Sequence, residues 1–292
     1  MKKISKLEVS EICNQLGESF PKNISQIYGG DINNSFKLDF QNYSIFLKKN
    51  IRKEKLLKYE YFCLKNLEIY NNTDDLIIPK INSYISLENT ELLLMEWIDI
   101  ENGSQLKLGK GLAEMHLRSN QSNQNKFGYE VEGFIGINKQ MAGWGSNWAD
   151  FFVNFRIKPQ LKNLKRDFYN SNLLKNLISK IKTVLNQHDP TISLVHGDLW
   201  SGNFGINKDA KGVIFDPASW WADSEVDLAM TKLFGGFNHE FYQEYYKIIP
   251  MKSGFEKRLV IYNLYHVLNH ANIFGGSYIT QADEYMKIIL DM

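Results

Sequence analysis

HGDLWSGNFGIN, residues 196–207, is too polar for a buried strand, and Gly197 and Gly202 interrupt any helix. The apolar pieces on either side, LV at 194–195 and VIF at 213–215, read as short buried strands. The stretch is therefore a loop held between strands, a usual place for side chains that do chemistry. Within it His196, Asp198 and Asn203 are spaced as H-x-D-x-x-x-x-N, and Asp216 follows 13 residues after the asparagine, in FDPA.

This order is what phosphoryl transfer by kinases needs: one carboxylate near the acceptor hydroxyl, then an amide and a second carboxylate on the metal. Magnesium takes oxygen ligands, few of them from protein, and leaves its other positions to phosphate and water, so Asn203 and Asp216 suffice for Mg2+. Asp198 must stay free to accept the hydroxyl proton. The competing reading has His196 capping a strand and the polar side chains satisfying turn amides. Order and spacing together favour the chemistry.

The composition is that of a globular protein: 292 residues, 43% hydrophobic and 23% charged. A net charge of +1, from 34 basic and 33 acidic residues, supplies no global field for nucleic acid or an anionic membrane. Any anionic ligand must be held locally. Cys13 and Cys63 match no metal spacing and suit packed thiols in a reducing, cytoplasmic setting. The expectation is a chain without a secretion signal or membrane span, because MKKISKLEVSEI lacks an apolar run and no stretch of about 18 apolar residues occurs.

Working outward, ISKLEVSEICNQLG spaces apolar residues as a short lead helix. ISQIY, SFKLDF and YSIFLKK alternate apolar and polar residues as an antiparallel meander, and RKEKLLKYEYFCLKNLEIY follows as a helix with one apolar stripe. KINSYIS and ELLLMEWI add two strands, so residues 20–98 are expected to form a sheet of about five strands carrying one long helix. Beyond the polar DIENGSQ the segments are helical by period. The fold class expected is α+β and bilobal: residues 1–98 a small nucleotide-binding lobe, residues 99–292 a larger, mostly helical lobe with the catalytic loop and acceptor site. A cleft between them is the natural ligand site.

A kinase also needs a cation on the phosphates and a partner to hold it. IFLKK offers Lys48 and Lys49, whose side chains point to opposite faces of a strand, and alternation alone does not choose between them. Glu60 lies 12 residues beyond Lys48, beside the helix stripe, within geometric reach of an ion pair. Gly29 and Gly30 in YGGDINNSF permit a tight turn with free amides near a phosphate, as an ordinary hairpin would too. Glu96, Trp97 and Ile98 fall at the junction, where extended backbone can pair with an adenine edge. His266 and His270 in HVLNH share a helix face, but Val267 stands where a zinc protease has glutamate, so packing or a ligand contact is expected rather than metal. Trp200, Trp220 and Trp221 flank the acidic groups, as core or as stacking surfaces.

LVHGDLWSGNFGIN, then VIFDPASWWADSEVDLAM and LFGGF, resembles the fructosamine kinase, or ketosamine-3-kinase, family of aminoglycoside-phosphotransferase-like kinases. GGDINNSF, FLK, MEW, NWADFF and LNHANIFGG extend the likeness over nearly the whole chain. The resemblance implies a protein-kinase-like fold that moves the ATP γ-phosphoryl group to O3 of a ketosamine, free or protein-bound, and so begins the repair of glycated amines. It implies Asp198 as proton acceptor, Asn203 and Asp216 as magnesium ligands, and Lys48 rather than Lys49 on the phosphates, paired with Glu60. Glu96, Trp97 and Ile98 fall on the nucleotide-binding hinge, and Trp200 and His270 where the family contacts the sugar. MAGWGSNW at 141–148 departs from the family's tryptophan spacing, which bears on the rim of the acceptor pocket. Two other readings compete: a kinase of aminoglycoside or choline type, and a catalytically silent nucleotide-binding scaffold.

Overall fold

The computed structural model describes residues 3–28, 33–52, 54–164 and 172–292. The lead helix α1 (Lys6–Leu16) is closed by a capping box in which the Ser5 side chain accepts from Glu8 N–H, while the Glu8 carboxylate accepts from Ser5 N–H. Strands β1 (Asn23–Ile27), β2 (Asn34–Asp39) and β3 (Ser44–Asn50) precede the long helix α2 (Leu56–Tyr70). After the two-residue strand β4 (Leu76–Ile77) come β5 (Ile81–Ser86) and β6 (Glu91–Glu96). The expected sheet forms as an antiparallel sheet in the order β1-β2-β3-β6-β5.

Period-two alternation sorts that sheet's side chains onto two faces. Ile45 and Leu47 of β3, with Leu92 and Leu94 of β6, pack under Val9, Ile12 and Cys13 of α1. On the other face Leu93 and Met95 join Leu57, Leu64 and Leu67 of α2 in a core continuous with the rest of the molecule. Of the helix stripe read from the sequence, Leu57, Leu64 and Leu67 are buried and Tyr61 is half-buried.

The second part opens with α3 (Leu106–Asn120). Four short strands follow: β7 (Phe127–Tyr129), β8 (Gly133–Ile135), β9 (Asn138–Gln140) and β10 (Gly143–Gly145). NWADFFVNFRI is helical but not uniform. It begins as α4 (Trp148–Phe152), widens into a π-helical turn at Val153–Ile157 and continues as α5 (Lys158–Asn163). After α6 (Asn172–Asn186) come β11 (Ile192–Val195), β12 (Phe204–Ile206), β13 (Gly212–Ile214) and β14 (Trp220–Asp223). The chain finishes with α7 (Glu225–Leu233), α8 (His239–Ile248), α9 (Phe255–Phe274) and α10 (Ser277–Leu290).

The short strands expected on either side of the polar loop are β11 and β13, while the other short strands were missed by the sequence reading. Most have three or four residues, too few for alternation to stand out. β4 is one of them. It leaves the first part of the chain to pair in parallel with β13, completing a sheet in the order β12-β13-β4. Cys13 and Cys63 are buried free thiols. Among the described residues no helix is long and apolar enough to cross a membrane.

Helices α3 and α8 touch at a glycine. A Cβ on Gly109 would stand 2.1 Å from the carbonyl oxygen of Phe241, which is backbone and has no room to retreat. Gly109→Ala is therefore expected to lower stability by about 1–3 kcal/mol, the usual cost of overpacking, read as a fall in the urea midpoint. An unchanged midpoint would contradict this packing.

Candidate active site

Strand β11 ends at Val195, and the polar loop carries the chain from there to β12, while residues 215–219 carry it from β13 to β14. The two loops are laced together. Ala218 N–H donates to His196 O at 2.9 Å and Phe215 N–H to Asn203 O at 3.1 Å. The His196 ring joins them again: Nε2–H donates to Phe215 O at 2.9 Å, and Nδ1 accepts from Asp198 N–H at 3.3 Å. That pair of bonds fixes the neutral tautomer, and burial, against the pull of Asp227, holds the ring's pKa below its ordinary value. Gly197 adopts φ +83°, and a Cβ there would stand 2.2 Å from Ala218 O, so only glycine lets the loops approach this closely.

Asp227 of α7, fully buried, holds the loop from beneath. Its carboxylate accepts from His196 N–H at 2.7 Å, from Gly197 N–H at 2.8 Å and from His116 Nε2 at 3.1 Å. Burial alone would raise its pKa, but His116, His196 and the loop amides outweigh that and leave it lowered, so the group is an anion. The second His116 nitrogen lies 2.8 Å from the Tyr245 hydroxyl. The sequence reading did not single out Asp227 or His116. The available signal was an aspartate inside the apolar run EVDLAM.

Above this base the polar groups converge. The Asn203 amide donates to Asp198 O at 2.8 Å and to its Oδ2 at 3.2 Å, leaving Oδ1 of Asn203 directed elsewhere. Burial, then the charge of Asp216, pushes the Asp198 carboxyl up to about 7, against the Asn203 bond. Asp216 itself stands at φ +60°, a left-handed conformation uncommon for residues other than glycine and concentrated at functional sites. Lys48, 4% exposed, bonds Glu60 of α2 at 2.7 Å and also Asp216. Burial pulls the ammonium down, but Asp216 and Glu60 together raise its pKa, so it stays charged. Lys49 points to the opposite face and pairs with Glu8 of α1 at 2.7 Å.

Lys48, Glu60, Asp198, Trp200, Asn203, Asp216 and His270 all line one cavity of about 550 Å³. Glu96, Trp97 and Ile98 do not line it. The Glu96 carboxylate accepts from Lys80 N–H at 2.8 Å, and Glu96 N–H donates to Lys80 O at 2.9 Å, so this residue secures the sheet edge. Trp97 lies against Phe46, with Lys37 4.5 Å above its ring. Gly29 and Gly30 lie outside the described residues, and Asn33 and Ser35 just beyond them line the cavity. The 141–148 segment does not contribute to the lining: Trp148 is core and Trp144 exposed. Trp220 and His266 are fully buried, while His270, on the same face as His266, reaches the cavity.

The family profile of fructosamine kinase matches residues 5–292. The chain belongs to the fructosamine kinase family. It is 37% identical over 264 residues to a candidate ketoamine kinase of Synechocystis, covering 89% of this chain and 88% of that one. A candidate fructosamine-3-kinase from Haemophilus somnus superposes over 97% of this chain and 96% of its own, with a TM-score of 0.83 and 26% identity. An aminoglycoside phosphotransferase in ternary complex with AMP-PNP and hygromycin B shares the fold, with a TM-score of 0.68 and 14% identity over 97% of each chain. The chain is thus a phosphotransferase of the fructosamine kinase family, with the bilobal α+β fold of protein-kinase-like enzymes.

Lys48 and Lys49 offer a control for each other. Lys49→Met strands the buried Glu8 carboxylate and is expected to cost about 3 kcal/mol of stability, with turnover per folded molecule unchanged. Lys48→Met should lower kcat/KM at least about 100-fold. Equal losses of activity would contradict the division of the two faces.

Asp198 also makes a pH prediction. With its carboxyl at about 7, the folded protein keeps a proton that the unfolded chain has already released. The stability this gives is complete below the ordinary carboxyl range, about pH 4, and is lost as pH rises through about 7. Urea midpoints measured without divalent metal should therefore show wild type losing stability relative to Asp198→Asn across that window. A constant difference would contradict the raised carboxyl.

Proposed function

We propose that this enzyme is an ATP-dependent ketosamine 3-kinase, and that residues 1–98 carry the nucleotide while residues 99–292 carry the chemistry. The observation that supports this most is the convergence of Lys48, Asp216, Asn203 and Asp198 on one cavity, in the order phosphoryl transfer requires.

In this reading Lys48, held by Glu60, meets the ATP phosphates, and the backbone of Trp97 and Ile98 meets the adenine. Asn203 Oδ1 and the Asp216 carboxylate are hard oxygen donors on the same wall, which fits magnesium. When bound, magnesium supplies neutralisation of charge on the β- and γ-phosphates. Trp200 and His270 hold the sugar so that its O3 hydroxyl faces Asp198. As O3 bonds to the γ-phosphorus, the bond from that phosphorus to the β–γ bridging oxygen breaks, ADP leaves, and Asp198 takes the hydroxyl proton. Asp198 is suited to this because its carboxyl, near 7, is partly ionised at neutral pH and is a stronger base than an ordinary carboxylate. A phosphate at C3 is a far better leaving group than a hydroxyl, so the product can eliminate phosphate, and hydrolysis of the resulting imine frees the amine. The setting proposed is the cytoplasm.

The test is incubation with ATP, magnesium and fructoselysine, ribuloselysine or a glycated protein, followed by mass spectrometry and phosphorus NMR. The expected result is one added phosphoryl group, located on O3, lost on chelation of magnesium and reduced at least about 100-fold in Asp198→Asn. No transfer to any ketosamine, or preferred transfer to an aminoglycoside or choline, would overturn the reading.

A further inference from the structure

The cavity has two kinds of lining. Its charged lining residues are Lys48, Glu60, Asp198 and Asp216, three of them directly bonded. The lining also contains a continuous set of rings. Phe234 lies 6.1 Å from Trp200, 5.0 Å from His270 and 6.4 Å from Tyr278, centroid to centroid. Tyr278 is in turn 5.1 Å from His270 and 6.0 Å from Phe274. Among the described residues no other Lys, Arg, Asp or Glu lines the cavity. His270 does not supply a cation, because burial holds its pKa down.

Two features argue that the rings form a surface for a ligand rather than excess core. Phe274 is 52% exposed and lines the cavity, so its ring is open to a bound ligand. The chain also turns sharply to put it there. Gly275 at φ +65°, ψ −142° and Gly276 at φ +57°, ψ −132° occupy a region essentially closed to other residues. They join α9 to α10 so that Phe274 and Tyr278 stand side by side at the mouth.

Resting on the ketosamine kinase reading, we propose that Phe234, Phe274 and Tyr278 form a subsite for the substituent carried on the acceptor's amine, beyond the sugar held at Trp200 and His270. Aromatic faces stack on apolar groups and attract a secondary ammonium. With no charged residue to meet a carboxylate or a second ammonium, the subsite selects acceptors whose amine bears an aromatic or long methylene group over those bearing a small charged one.

The experiment compares fructosamine adducts of benzylamine and of glycine as acceptors for wild type, Phe274→Ala, Tyr278→Ala and Tyr278→Phe. None of these side chains is fully buried, so the variants should fold. Wild type is expected to favour the benzylamine adduct about tenfold in kcat/KM, about 1.4 kcal/mol. Each alanine variant should raise KM for that adduct several-fold, leave KM for ATP unchanged and erase most of the preference, and Tyr278→Phe should retain it. Transfer to both adducts without preference, or a preference that survives both alanine variants, would overturn the subsite while leaving the kinase reading intact. No transfer to either adduct would overturn both.

Discussion

Lys48 is nearly buried and charged, so its charge has to be balanced where it stands. The two carboxylates that do this come from distant parts of the chain: Glu60 from α2, and Asp216 from the loop after β13. Removing Lys48 would leave the buried Glu60 carboxylate without its cation, at a typical cost of about 3–5 kcal/mol. One ammonium therefore fixes the position of the sheet, the long helix and the Asp216 loop together. In the proposed mechanism the same ammonium meets the phosphates. In that reading one interaction serves both stability and catalysis.

The loop carrying Asp198 is shaped differently, by backbone amides on a buried anion. Asp227 takes two consecutive N–H groups of the loop and is itself braced by His116, which is braced by Tyr245. This leaves Asp198 on the cavity wall with, among the described residues, only the Asn203 amide bonded to its carboxylate. A carboxyl so placed has a high pKa because nothing positive compensates its burial, which in the proposed mechanism suits it to accept a proton. Asp198, half-buried on the cavity wall, and Asp227, fully buried beneath it, are aspartates of one neighbourhood whose different partners send their pKa values in opposite directions.

Much of this arrangement is legible in the residues. Alternation in β2, β3 and β6 and the stripe on α2 are strong periodic signals, and the five-stranded sheet follows from them. The choice between Lys48 and Lys49 is not legible from alternation, because Phe46 and Leu47 give both faces an apolar neighbour. It is settled by which face α1 covers, a tertiary fact carried by Glu8. Asp227 escapes for a related reason: its partners are backbone amides, which every residue type possesses and which leave no pattern in the sequence. The rings of Phe234, Phe274 and Tyr278 come from the end of α7, the end of α9 and the start of α10, and only the packing of those helices brings them together.

A crystal structure with a non-hydrolysable ATP analogue and magnesium tests this convergence most directly. Lys48 is expected within hydrogen-bonding distance of a phosphate oxygen, one metal ion between Asn203 Oδ1 and the Asp216 carboxylate, and Asp198 facing the γ-phosphate across an open acceptor site. A nucleotide bound elsewhere, or a metal ion held without Asp216, would contradict it.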